Sequence, residues 1–156
     1  MEKLKNFILI GGVGVGKTSL FNSLLGIKGE ANKTQAMVYH NESTVDTPGE
    51  FFDNPRFYSA IICSMMDIDT IVYVHQCNNI ERKLPHGLFN IYEPKNIIGV
   101  ISKVDLPDAN IDEVIELLRD YGIKNKIFEV SILDEESIAD LRNYLCEQNE
   151  QNKNVA

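Results

Sequence analysis

Eight residues near the start of the chain, Gly11-Gly12-Val13-Gly14-Val15-Gly16-Lys17-Thr18, have the spacing G-x-x-x-x-G-K-[ST] of a phosphate-binding loop. Glycines let the backbone wrap closely around a phosphate chain and turn successive N–H groups inward, where a Cβ would intrude. Lys17 supplies a point charge for the β- and γ-phosphates, and the Thr18 hydroxyl is placed to ligate Mg²⁺. The apolar run Phe7-Ile8-Leu9-Ile10 precedes the loop and a helical pattern starts at Lys17. The start of that helix, including Ser19, adds unpaired N–H groups and a positive dipole end to the anion site.

Further fragments have matching chemistry. In Asp46-Thr47-Pro48-Gly49, the carboxylate of Asp46 can hold a water of the Mg²⁺ shell, because Mg²⁺ keeps several waters and accepts few protein ligands. Gly49 has no side chain, so its N–H can approach a γ-phosphate, and loss of that phosphate would release the segment. Thr34 lies in a polar loop from which a hydroxyl or carbonyl can reach the same metal. Expected metal contacts are therefore Thr18, Thr34 and Asp46, with Lys17, Thr34, Gly49 and Glu50 around the reacting phosphate.

The elements that must position these residues alternate. Strands are expected over 7–10, 71–74, 97–101 and 127–130, the first apolar on both faces as in a parallel sheet covered by helices. A short hairpin is expected from Ala36-Met37-Val38-Tyr39 and Ser43-Thr44-Val45, with His40-Asn41-Glu42 at its turn. Helical stripes follow the loop (Leu20, Phe21, Leu24, Leu25, stopped by Gly26) and Asn54-Pro55. A third stripe runs from a capping box of Asn110 and Glu113 to Gly122, and a fourth occupies 135–147, with a short helix around Leu88. This order predicts a three-layer α/β/α fold with a mainly parallel sheet of about six strands, a P-loop nucleotide-binding architecture. One domain would span 1–148, followed by a polar, frayed tail over 149–156. Ligands of such sheets sit beyond the carboxyl ends of the strands, where strand order reverses. Asp46, Ser102-Lys103-Val104-Asp105 and Ser131 all follow apolar runs, so they collect there with the loop.

Taken together, these motifs resemble the Ras-like or Era-like GTPase domain. More narrowly, Lys33-Thr34-Gln35-Ala36, Asp46-Thr47-Pro48-Gly49-Glu50-Phe51-Phe52, Tyr73-Val74-His75, Leu84-Pro85-x-Gly87-Leu88 and Ile101-Ser102-Lys103-Val104-Asp105 with Pro107-Asp108-Ala109 resemble the EutP/PduV family. The resemblance implies a nucleotide-binding protein of ethanolamine or propanediol utilisation, associated with bacterial microcompartments and with shell or pathway enzymes as partners. GTPases of this class read guanine with Asn-Lys-x-Asp, and here Ser102 takes the Asn place. Asp105 can still accept from both N1–H and the 2-amino group of guanine, a donor pair that adenine lacks. Lys103 would lay its stem along the ring, and the Ser131 N–H would meet the guanine O6. Serine for asparagine removes a bracing amide and leaves ATP open beside GTP.

Glu50 stands where Ras-like proteins often carry a water-orienting Gln, and Arg56 is the arginine nearest to it in sequence. Slow intrinsic GTP hydrolysis by a switch is the first reading. An ATP-dependent short-chain acyl (acetate) kinase is the second, with Arg82 and Lys83 as the named cations for an acceptor. A nucleotide-stabilised scaffold without turnover is the third. A net charge of −8 over 156 residues argues against nucleic acid and anionic membrane as partners. The early apolar run is too short for a signal peptide and leads straight into the loop. Cys63, Cys77 and Cys146 lack metal-binding or disulfide spacing, so reduced thiols and a cytoplasmic location are expected.

Overall fold

Alternation within the apolar runs divides their side chains between two faces of a sheet. A computed structural model describes residues 7–12, 14–25, 38–41, 44–46, 70–82, 84, 86–92 and 95–155. Strand β1 (Phe7–Gly11) is followed by α1 (Lys17–Leu25), β2 (Val38–Asn41), β3 (Thr44–Asp46) and β4 (Thr70–Gln76). A 3-10 helix (Leu88–Tyr92), β5 (Asn96–Ser102), α2 (Ile111–Asp120), β6 (Ile127–Glu129) and α3 (Glu135–Val155) complete the described elements. The sheet order is β2-β3-β1-β4-β5-β6, antiparallel between β2 and β3 and parallel elsewhere.

Ile8, Ile10, Ile71, Tyr73, Ile97 and Ile101 pack on one face against Phe89 and the α2 residues Val114, Leu117 and Leu118. Phe7, Leu9, Val72, Val74, Ile98 and Val100 pack on the other against Leu20, Phe21 and Leu24 of α1 and Ile138, Leu141 and Leu145 of α3. The result is three layers. From β1 the chain moves outward to β2 and β3, then crosses to β4 on the opposite side. The order thus reverses beside β1, and the loop after β1 sits at the switch point.

Several boundaries differ from the sequence reading. His40 and Asn41, expected in the hairpin turn, belong to β2, where Asn41 pairs with Thr44 across an irregular register. The capping box at Asn110 is not formed: its side chain makes no cap bond. Its N–H instead donates to the Cys77 carbonyl at 2.8 Å, tying the start of α2 to the end of β4. Helix α3 runs to Val155, past residue 147 where the sequence pattern places its end. The helix expected from Asn54 lies outside the described residues. Among those described, no helix is long and apolar enough to cross a membrane.

Candidate functional site

The loop after β1 is shaped by two close approaches. A Cβ on Gly11 would lie 2.5 Å from the Val74 carbonyl oxygen of β4, so only glycine lets the chain leave the sheet there. Gly16 has φ +88° and passes under the Lys103 side chain, whose Cε would be 3.4 Å from an added Cβ. Val15 between them is 8% exposed and anchors the loop in the core. Lys17, the first residue of α1, is 5% exposed, so its side chain is held against the protein and out of solvent. Thr18 and Ser19 are half-buried in the first turn of α1, which carries no acidic residue to oppose an anion.

The end of β5 braces this loop from behind. Ser102 is buried, and its hydroxyl donates to the Val15 carbonyl at 2.6 Å. The serine therefore supports the loop itself, although it lacks the amide of the usual motif. Lys103 follows in the left-handed region at φ 59°, a conformation uncommon for a residue with a side chain. Its Nζ donates to the Gly14 carbonyl at 2.8 Å and to Gln76 Oε1 at 3.3 Å. Beneath it, the Cys77 thiol donates to the Lys103 carbonyl at 3.0 Å. Burial, and then the Asp108 carboxylate, push this thiol above its ordinary pKa.

Asp105 is exposed at the mouth of the site, and its Oδ1 accepts from the Ser131 hydroxyl at 2.7 Å. The Ser131 N–H, expected at the guanine O6, instead donates to Ser137 Oγ at 3.1 Å. Ser131 thus aims the carboxylate through its hydroxyl, while its amide is committed to the start of α3. Asp46 ends β3 opposite Leu9 of β1, at the same carboxyl edge. Val13, Thr34, Gly49, Glu50 and Arg56 lie outside the described residues.

Other candidates are drawn away. Arg82 pairs with Asp120, and His86 Nδ1 donates to the other Asp120 oxygen at 2.7 Å. Helix α2 runs back from the site edge, and its ten residues put Asp120 about 15 Å from that edge. Arg119 donates to the carbonyls of Ile123 and Asn125, and Arg142 to those of Ser23 and Leu24. His75 is buried, with Nε2 donating to the Asn79 carbonyl at 2.6 Å and Nδ1 accepting from Tyr73. Among the described residues, no group of three His, Cys, Asp or Glu gathers as a metal site. Gln76 and Ser137 escaped the sequence reading. The signal for Gln76 was a polar residue ending an apolar strand.

A family model described as "Ethanolamine utilisation - propanediol utilisation" matches residues 4–147. The chain belongs to the PduV-EutP family. "Probable acetate kinase EutP" of Salmonella typhimurium (strain LT2) is 43% identical over 148 residues, covering 95% of this chain and 93% of its own. "Propanediol utilization protein PduV" of Citrobacter freundii is 30% identical, covering 88% of this chain and 91% of its own. "GTPase Era" of Ehrlichia canis (strain Jake) is 28% identical, covering 89% of this chain but 53% of its own. This family membership links the chain to ethanolamine and propanediol utilisation, and the Era likeness agrees with a P-loop architecture of the Ras/Era type.

The residues fit a nucleotide with Mg²⁺. A Cβ on Gly11 would clash with β4, Gly16 takes a positive φ, the α1 N-terminus follows directly, and Lys17, its first residue, is 5% exposed. Among the described residues, the Thr18 hydroxyl is a group of suitable chemistry for the metal.

Proposed function

We propose that the chain is a Mg²⁺-dependent purine-nucleotide-binding protein that prefers GTP and hydrolyses it slowly, acting as a switch in ethanolamine or propanediol utilisation. The observation that carries this reading is Asp105, exposed at the mouth and oriented by the Ser131 hydroxyl at 2.7 Å. A carboxylate so held can accept from the N1–H and 2-amino donors of guanine, a pair that adenine does not offer. Lys103, laid over Gly16, supplies a stem for the ring. Lys17 and the α1 N-terminus bind the phosphates, and Thr18, Thr34 and Asp46 would hold Mg²⁺, which neutralises charge on the β- and γ-phosphate oxygens when bound. Gly49 would sense the γ-phosphate and Glu50 would contact the attacking water. The three described arginines are engaged elsewhere, which supports slow turnover, since cations around the transferring phosphate carry much of the rate. Partners would be shell or pathway enzymes of a microcompartment in the cytoplasm.

One observation favours a second reading. Relatives more than 40% identical bear the name "Probable acetate kinase EutP". In that reaction an acetate oxygen attacks the γ-phosphorus and the bond to the nucleoside diphosphate breaks, giving acetyl phosphate. An acceptor needs a cation near the loop, and Arg82, the described candidate, is paired with Asp120 at the far end of α2. The switch is therefore preferred.

Calorimetric titration with GTP, ATP and their diphosphates in Mg²⁺, followed by product analysis with and without acetate, tests both. Tighter binding of GTP and release of GDP and phosphate are expected. Acetyl phosphate would replace the switch with the kinase, and tight binding without product would leave a scaffold.

A further inference from the structure

The base-reading motif has Ser102 where an asparagine is usual, yet Lys103 is held from two sides. Strand β4 provides the second hold. In the β4–β5 register Gln76 pairs with Ser102, one residue before Lys103. The Gln76 Oε1 accepts from Lys103 Nζ at 3.3 Å, while the same ammonium donates to Gly14 at 2.8 Å. The other end of the Gln76 amide donates to Asn78 Oδ1 at 2.8 Å, and Asn78 Nδ2 donates to Asp108 at 2.9 Å. Each amide in this chain is oriented by the next, so the oxygen of Gln76 faces Lys103 and its NH₂ faces away.

The geometry points to Gln76 as a positioning residue for nucleotide binding, supplying from β4 the amide that the Ser102 motif lacks; this rests on the nucleotide reading above. Ser102 braces the loop through Val15, and Gln76 braces the lysine that lies over Gly16. Two residues on neighbouring strands thus divide the support that one asparagine gives. A lysine stem has many rotamers, and fixing it before the nucleotide arrives lowers the ordering lost on binding. Gln76 need not touch the nucleotide; it acts through Lys103.

A double-mutant cycle on GTP affinity, read by fluorescent-nucleotide titration with Mg²⁺, tests this. Gln76→Met keeps the length but removes the amide. It should weaken GTP binding about fivefold in the wild-type background, the scale of one ordinary hydrogen bond, because the 3.3 Å contact is long and acts through Lys103. In the Lys103→Met background the same change should shift affinity by less than about twofold, because its target is gone. Gln76→Glu, which retains an acceptor for the ammonium, should stay within about twofold of wild type. Equal losses from Gln76→Met in both backgrounds would mean a general structural role and overturn the inference. So would full affinity in Gln76→Met, or a Gln76→Glu variant as weak as Gln76→Met. Wild-type protein that binds no purine nucleotide would remove the parent reading and this one together.

Discussion

Asp105→Asn should exchange a guanine preference for a xanthine preference. The carboxylate accepts two hydrogen bonds in the guanine reading, each worth about 1.5–3 kcal/mol when the acceptor is charged. Asp105 is exposed, which favours the lower end, so about 3 kcal/mol is lost in all, roughly a hundredfold in GTP affinity. The structure also sets which way the new amide faces. The Ser131 hydroxyl donates to Oδ1, so the substituted amide keeps its oxygen at that position, where a second lone pair accepts from N1–H, and presents its NH₂ to the 2-position of the base. Xanthine carries a carbonyl where guanine has the 2-amino group, and that carbonyl meets the new donor. Displacement of a fluorescent nucleotide by GTP, XTP and ATP in Mg²⁺ measures the exchange. GTP affinity within about threefold of wild type would refute the placement of Asp105 at the base, because no lost pair of charged hydrogen bonds is that small.

Ser102→Ala leaves the Val15 carbonyl without its 2.6 Å donor, at a cost of about 1–3 kcal/mol. Nucleotide-free protein should melt about 3–10 °C lower, and an unchanged midpoint would argue against the brace. Arg82, and after it His86, hold the Asp120 carboxyl below its usual range. On acidification the unfolded chain therefore takes up that proton first. The stability from this cluster is complete above the ordinary carboxylate pKa and is lost as pH falls through the lowered folded value. Asp120→Asn should flatten the acid limb of urea midpoints measured from pH 7 to about 3, with a small amplitude because the groups are exposed; parallel limbs would exclude the cluster as a contributor. The buried Cys77 thiol, raised in pKa by burial and Asp108, should react with a thiol reagent at pH 7 only after opening or unfolding. Peptide mapping of labelled native protein reads this, and rapid modification of Cys77 would contradict its placement.

Much of the fold could be read because a covered parallel strand is apolar on both faces, as in Phe7-Ile8-Leu9-Ile10 and Ile97-Ile98-Gly99-Val100-Ile101. The loop was equally plain, since its glycines and Lys17 sit at fixed spacing. What escaped depended on partners distant in sequence. Asn110 has the local pattern of a cap, but its N–H goes to Cys77, thirty-odd residues upstream. The His40-Asn41 pair looks like a turn and is used as strand, because pairing to β3 overrides local preference. For Ser131, sequence placed the residue at the site but could not say that Ser137 takes its N–H. The Gln76 amide gains meaning only once β4 and β5 are in register.

The brace from Ser102 to Val15 closes a span of 87 residues, and the bond from Lys103 to Gly14 one of 89. Asp105 then waits on Ser131, 26 residues further. On the ribosome the glycine-rich loop emerges well before its supports at Ser102 and Lys103. At about 5–20 residues per second the interval is about ten seconds, during which the glycine-rich turn exists without walls. A truncated chain that ends before β5 therefore carries the glycine-rich motif without the brace that shapes it. If the chain binds a nucleotide as proposed, that ligand would stabilise only chains long enough to include β5.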